Sequence, residues 1–197
     1  ICEHIYGMME QAINLAMFCQ KVNIPFHVYA FSDRFNGVSA QELGYKPNDL
    51  YLERGISLLE FLSSDMNKRE MDTACKLLLL LAKSFTDYRG YKMETPPAPY
   101  GTQFLLGGTP MNHAIVLAMD LVPDFKKANN LQVVNTVFIT DGDSHPIGDC
   151  LDENGKITGL SDYKYQTVYV DPKTRKEYKG QGGGWNQTET LLNILRD

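Results

Sequence analysis

The 197-residue chain predicts an α/β fold, a doubly wound and largely parallel sheet of Rossmann-like type, and two observations carry the prediction. Helical apolar patterns alternate with short bounded apolar runs, as in a sheet flanked by helices. Two of those runs, 24–31 (IPFHVYAF) and 133–140 (VVNTVFIT), are rich in β-branched and aromatic residues, which suits strands covered on both faces. A parallel sheet of two strands does not stand alone, and the chain opens and closes on helical patterns. The reading is therefore one domain over 1–197, a fragment whose terminal strands lie outside it. That domain carries an insertion over about 32–103 and a hairpin over about 166–180.

Taken in order, Ile5, Met8, Met9, Ala12, Ile13, Ala16 and Cys19 repeat at helical spacing and predict an amphipathic helix closing on Gln20 and Lys21. After the strand at 24–31, residues 32–65 read as irregular, with turns at Gly37, Gly44, Pro47 and Asn48 and a short helix over 56–62. Met71, Cys75, Leu78, Leu79, Ala82 and Phe85 predict a second helix, and 88–103, with three prolines and two glycines, a loop. A third helix runs from about Pro110 to Ala128 on Ala114, Ile115, Ala118, Leu121, Val122 and Phe125, with Pro123 kinking or ending it. The strand at 133–140 follows, and 148–159 reads as loop and turn. The stretch at 166–180 predicts a hairpin turning at Pro172-Lys173, and 187–195 a last helix capped by Asn186 or Thr188.

Composition narrows the function classes. An apolar fraction of 43% with 22% charged residues supports a packed core. Nineteen basic against twenty-four acidic residues give a net charge of −5, which disfavours nucleic acid as a partner. Cys2, Cys19, Cys75 and Cys150 form no CxxC pair, fitting a reducing compartment, and Cys19 and Cys75 sit in helical patterns as small core residues. No run approaches the roughly 20 apolar residues of a membrane span, so the expected setting is cytoplasmic.

The chemistry-bearing segments are GGTP (107–110) and VFITDGDS (137–144). Ligands of doubly wound sheets bind where strands lead into helices, and both segments fall at such junctions. Thr109 precedes a proline suited to a helix start, and Asp141 sits just off the end of an apolar run. A hydroxyl and a carboxylate are hard oxygen donors, a set that fits Mg²⁺ better than Zn²⁺. Thr109 also suits a helix cap, and Asp141 and Asp143 also suit turn positions. His145 lies beside the acidic segment, His27 in a strand, and His113 near a helix start. No GxSxG element supports nucleophilic hydrolysis, and Gly182 to Gly184 lack the ending of a phosphate loop. Tyr88, Tyr91, Met93 and Tyr100 suit either loop packing or a partner surface.

The order helix, IPFHVYAF, FLLGGTPMNHAI and NTVFITDGDS resembles von Willebrand factor A (vWA) domains, most closely those of the cobalt-chelatase CobT type and their relatives in T4-like bacteriophages. The resemblance covers about 1–31 and 104–144. It implies a metal-ion-dependent adhesion site (MIDAS) in three parts: Asp-x-Ser-x-Ser after the first strand, a threonine in a later loop, and an aspartate after the fourth strand. Thr109 matches the second part and Asp141 the third, with Gly108, Gly142, Asp143 and Ser144 flanking them. The first part does not occur in residues 1–197, and the resemblance places it before Ile1. The resemblance further implies Mg²⁺ (or Mn²⁺ or Ca²⁺), no catalytic residue, and a protein partner such as an AAA+ ATPase of the MoxR or CobS type. Such a module serves a chelatase-like or phage assembly, in the host cytoplasm if phage-encoded. The alternatives are a magnesium-dependent hydrolase or chelatase subunit, and a structural or virion-associated scaffold.

Overall fold

The computed structural model describes residues 4–32, 45–52, 56–86, 109–140, 142, 144–160, 167–180 and 185–197. In chain order the elements are α1 (Ile5–Lys21), β1 (His27–Ser32), β2 (Leu50–Tyr51), β3 (Ser57–Ser63), α2 (Lys68–Thr86), α3 (Met111–Ala128), β4 (Asp149–Leu151), β5 (Ile157–Gly159), β6 (Thr167–Val170), β7 (Glu177–Gly180) and α4 (Trp185–Arg196). The chain divides into two compact units, one of Ile1–Phe31, Leu58–Leu106 and Thr136–Gly142, the other of Ser32–Ser57, Gly107–Asn135 and Asp143–Asp197.

In the first unit the apolar stripe of α1 forms as its spacing predicts, burying Ile13 and Ala16. The helix stops because Asn23 takes a left-handed φ of 56°, a conformation asparagine tolerates better than most residues. The turn lets Ile24 N–H bond the Cys19 carbonyl at 2.9 Å, which satisfies one of the last helical acceptors. α2 starts on a reciprocal cap: Asn67 Oδ1 accepts from the Arg69 and Glu70 amides, and Glu70 Oε2 accepts from the Asn67 amide. Ile13, Ala16, Phe26, Leu62, Met71 and Leu78 make one core, with Cys19 and Cys75 packed against it as their helical positions predicted. Burial pushes the Cys75 thiol pKa up, so it behaves there as a small apolar group.

Two expectations about strands change. Where a short helix is expected over 56–62, β3 forms over Ser57–Ser63: the apolar spacing of Leu58, Leu59 and Leu62 suits either period, and pairing with β1 decides it. Ser64 N–H bonds the Phe26 carbonyl at 2.9 Å and Phe26 N–H bonds Ser64 Oγ at 3.2 Å, so the start of β1 lies against the end of β3 and the strands run in opposite directions. Residues 133–140, the run that reads as the firmest strand, take no regular structure, and Val133 and Val137 are 72% and 65% exposed. A strand needs a neighbour for its backbone groups, and among the described residues none pairs with this run. The fold is thus mixed α/β, with small sheets whose described ladders are antiparallel.

In the second unit β2, β4 and β5 form a sheet in that order, with Leu50 opposite Cys150 and Cys150 opposite Thr158. Residues 148–159, expected as loop and turn, are therefore largely a hairpin. Its strands are three residues each, too short to show alternation. Asp152 Oδ1 shapes its turn by accepting from the Asn154 and Lys156 amides, and Gly155 supplies the positive φ of 75°. The hairpin expected over 166–180 is present as β6 and β7, with Tyr169 opposite Tyr178 and Thr167 opposite Gly180. Its turn is held by Asp171, whose carboxylate accepts from Lys173 N–H and the Thr174 hydroxyl and is drawn below its usual pKa by those bonds.

α3 runs through Pro123 without ending. Proline removes the donor that would serve the carbonyl four residues earlier. That carbonyl is Met119's, and Lys173 Nζ from the β6–β7 turn bonds it at 2.9 Å while pairing with Asp120 at 2.8 Å.

A β-carbon at Gly180 would lie 2.6 Å from Cε2 of the buried Tyr169 ring. Gly180→Ala is accordingly expected to destabilise the protein by roughly 1–3 kcal/mol, the usual range for overpacking. Urea denaturation of the variant beside the parent measures it, and an unchanged midpoint refutes it.

Candidate functional site

The start of α3 poses a local problem. Pro110 occupies the cap position and has no side-chain acceptor to offer the first free amides. The acceptor comes instead from 32 residues away: Ser144 Oγ takes the Asn112 amide at 2.7 Å. The same hydroxyl donates to the His145 carbonyl at 3.1 Å, and the His145 amide donates to the Thr109 carbonyl at 3.0 Å. Two hydrogen bonds therefore stitch residues 144 and 145 to residues 109 and 112. Thr109 is half-buried and stands one residue before the cap, so the capping hydroxyl is Ser144's and not its own. Ser144, with its proton and a lone pair committed, acts as a brace.

Behind this junction lies a buried polar network. Gln187 on α4 and Asn112 on α3 are both fully buried. Gln187 Oε1 accepts from the Ile147 amide at 2.7 Å and from Asn112 Nδ2 at 2.9 Å. Its Nε2 donates to the Ile147 carbonyl at 3.0 Å and to the Tyr169 hydroxyl at 3.1 Å. Thr188 Oγ1 completes the set by donating to Asn112 Oδ1 at 2.6 Å. One carboxamide thus holds both backbone polar groups of Ile147, with all four of its own bonding positions in use. Leaving either group buried and unpaired would cost about 1–3 kcal/mol. Burial pushes the Tyr169 hydroxyl above its ordinary pKa, with the Gln187 hydrogen bond acting in the opposite direction.

Gly108, Asp141 and Asp143 lie outside the described residues, as do Tyr88, Tyr91, Met93, Tyr100 and Gly182 to Gly184. Gly142 is exposed, and its amide and carbonyl both bond the Thr140 hydroxyl, at 3.3 and 3.2 Å. His145 is exposed and contributes only backbone to the junction, while His113 is buried within α3. In the first unit His27 Nδ1 contacts Glu60 while its Nε2 stands 3.7 Å from Asp65, with Tyr29 stacked on the ring. The two imidazole nitrogens face different carboxylates and so do not converge on one ion. Among the described residues no group of three or more His, Cys, Asp or Glu side chains can hold a metal, and no helix is long and apolar enough to cross a membrane.

Asn112 and Gln187 escaped the sequence reading. A signal exists: Asn112 precedes Ile115 by three residues and Gln187 precedes Leu191 by four, which places polar groups in line with the fully buried face of each helix. A polar residue in a core stripe must have found a partner. No protein-family profile, curated protein or solved structure matches the chain.

Ser144→Ala removes the brace and is expected to cost about 1 kcal/mol, as loss of a helix cap does, with faster hydrogen exchange at the Asn112 amide; parental stability and exchange would contradict it. The raised Tyr169 pKa sets an alkaline limit. Since the folded value exceeds the unfolded one, near 10, this contribution is complete below about pH 10 and lost as pH rises through the folded value. Tyr45 is raised by burial in the same way. Tyr169→Phe should therefore flatten part of the stability loss above about pH 10, checked by denaturation midpoints taken across that range.

Proposed function

We propose that this chain is a metal-ion-dependent protein-binding module, in which the Thr109 hydroxyl and the Asp141 carboxylate hold a divalent cation, Mg²⁺ or else Mn²⁺ or Ca²⁺. The carrying observation is the junction at the start of α3, where Ser144 and His145 are hydrogen-bonded to Asn112 and Thr109. It supports the reading because the residues that follow the acidic motif are tied to the residue meant to share its ion. The donor set also fits, being hydroxyl and carboxylate oxygen.

Electrostatics favours a binding role. The start of a helix carries partial positive charge and by itself opposes a cation. Asp141 and Asp143 together offer two negative charges to overcome that. A carboxylate from a partner is then attracted by both the ion and the helix end. A hydrolase would need a general base or nucleophile aimed at the ion, and the sequence offers no GxSxG element for that role.

The same reading takes the fold to be of the doubly wound vWA type. It takes the partner to be an AAA+ ATPase of the MoxR or CobS type, met in the cytoplasm. Mn²⁺ titration of the full-length protein, followed by capture of such an ATPase with and without EDTA, tests it. Asp141→Ala is expected to lower Mn²⁺ affinity at least tenfold and to abolish EDTA-sensitive capture. Capture indifferent to both EDTA and Asp141→Ala would remove the metal from the account.

A further inference from the structure

We propose that Asn154, at the tip of the β4–β5 hairpin, is a site of spontaneous modification, deamidation through a cyclic imide, and that the turn built by Asp152 holds its rate down. Asn154 is followed by Gly155, and glycine has no side chain to hinder attack by its own backbone nitrogen. In the reaction that nitrogen gives up its proton and bonds to Asn154 Cγ. The Cγ–Nδ2 bond breaks, and the side-chain nitrogen leaves as ammonia. Water then opens the ring at either carbonyl, giving aspartate or isoaspartate. One water is consumed and one ammonia released, with no change of oxidation state.

Nothing steric protects the pair. Residues 153–157 are exposed, and a β-carbon at Gly155 would meet no atom within 4 Å. Hydrogen bonding restrains it instead. The Gly155 amide, which is the nucleophile, donates to the Asp152 carbonyl at 2.9 Å. A bond that uses this proton stabilises the protonated nitrogen against the anion that attacks. Asp152 Oδ1 accepts from the Asn154 and Lys156 amides, both at 2.8 Å, and the Asp152 amide donates to the Lys156 carbonyl at 2.8 Å. The peptide groups on both sides of Asn154 are therefore held, and the turn must open locally before the nitrogen is released to react. Conversion has a structural consequence. Isoaspartate carries the main chain through one extra methylene, and the strands it joins are three residues each, pairing Leu151 with Ile157 beside the turn.

Peptide mapping by mass spectrometry tests this on the full chain at mildly alkaline pH, native and unfolded in guanidinium. Mapping separates Asn154 from Asn36, which begins the other Asn-Gly pair. Conversion at Asn154 is expected to be about tenfold slower in the native protein, near the upper end of what one hydrogen bond supplies. Asp152→Ala removes the Oδ1 bonds and is expected to raise the native rate severalfold, whereas Asp152→Asn keeps an oxygen acceptor and is expected to stay near the parent. Amide hydrogen exchange at Gly155 in the parent gives a check that needs no variant, and slow exchange is expected. Equal native and unfolded rates, an unprotected Gly155 amide, a parental rate in Asp152→Ala, or equal acceleration in Asp152→Asn each overturn the restraint. An unfolded chain that stays unmodified at Asn154 removes the site itself.

Discussion

Buried backbone N–H and C=O groups must keep their hydrogen bonds when they leave water, and at Ile147 both go to the single carboxamide of Gln187. The consequences spread outward from that contact. Gln187 must itself be buried and oriented, so Asn112 and Tyr169 are drawn in to occupy its other two bonding positions. Asn112 in turn needs Thr188 for its own oxygen. The start of α3, the segment 144–147, the β6 strand and α4 are thereby made parts of one polar cluster, and Ile115, Ile147 and Leu191 of the same elements are buried. Such a cluster specifies one arrangement sharply, because a half-satisfied version is worse than an apolar core.

The same rule explains features that would otherwise look accidental. α3 begins on a proline, which provides no cap, and Ser144 supplies the missing oxygen. α3 also contains a proline, which orphans the Met119 carbonyl, and Lys173 supplies the missing donor. In both cases a local deficit is met by a side chain more than 30 residues away. In the first unit the start of α2 and the end of α1 are solved locally, by the Asn67 and Glu70 pair and by the left-handed Asn23. Where the repair is remote, secondary structure depends on tertiary structure.

Thr109, Asn112, Ser144 and His145 meet at the start of α3, and their shared bonds are mostly backbone to side chain or backbone to backbone. The His27, Glu60 and Asp65 grouping of the first unit is different in kind: its contacts pair the imidazole with one carboxylate on each nitrogen, which ties β1 to β3 and to the turn after it.

Much of the architecture could be read from residues alone. The helices at α1, α2 and α3, the strand at β1, the β6–β7 hairpin and the core placement of Cys19 and Cys75 follow from periodicity and turn chemistry, because those are local properties. The GGTP and TDGDS segments were picked out the same way, and their junction through Thr109, Asn112 and Ser144 emerged only in three dimensions. β3 read as helix because its leucine spacing suits both periods, and strand pairing with β1 chose between them. Residues 133–140 carry strand composition, yet composition supplies no partner for their backbone. What the chain determined by itself, then, is which stretches carry helical or extended preference and where the oxygen-bearing motifs fall. What only tertiary structure decided is which polar groups meet, Gln187 with Ile147 and Ser144 with Asn112, since a hydrogen bond depends on distance in space and leaves no periodic trace in sequence.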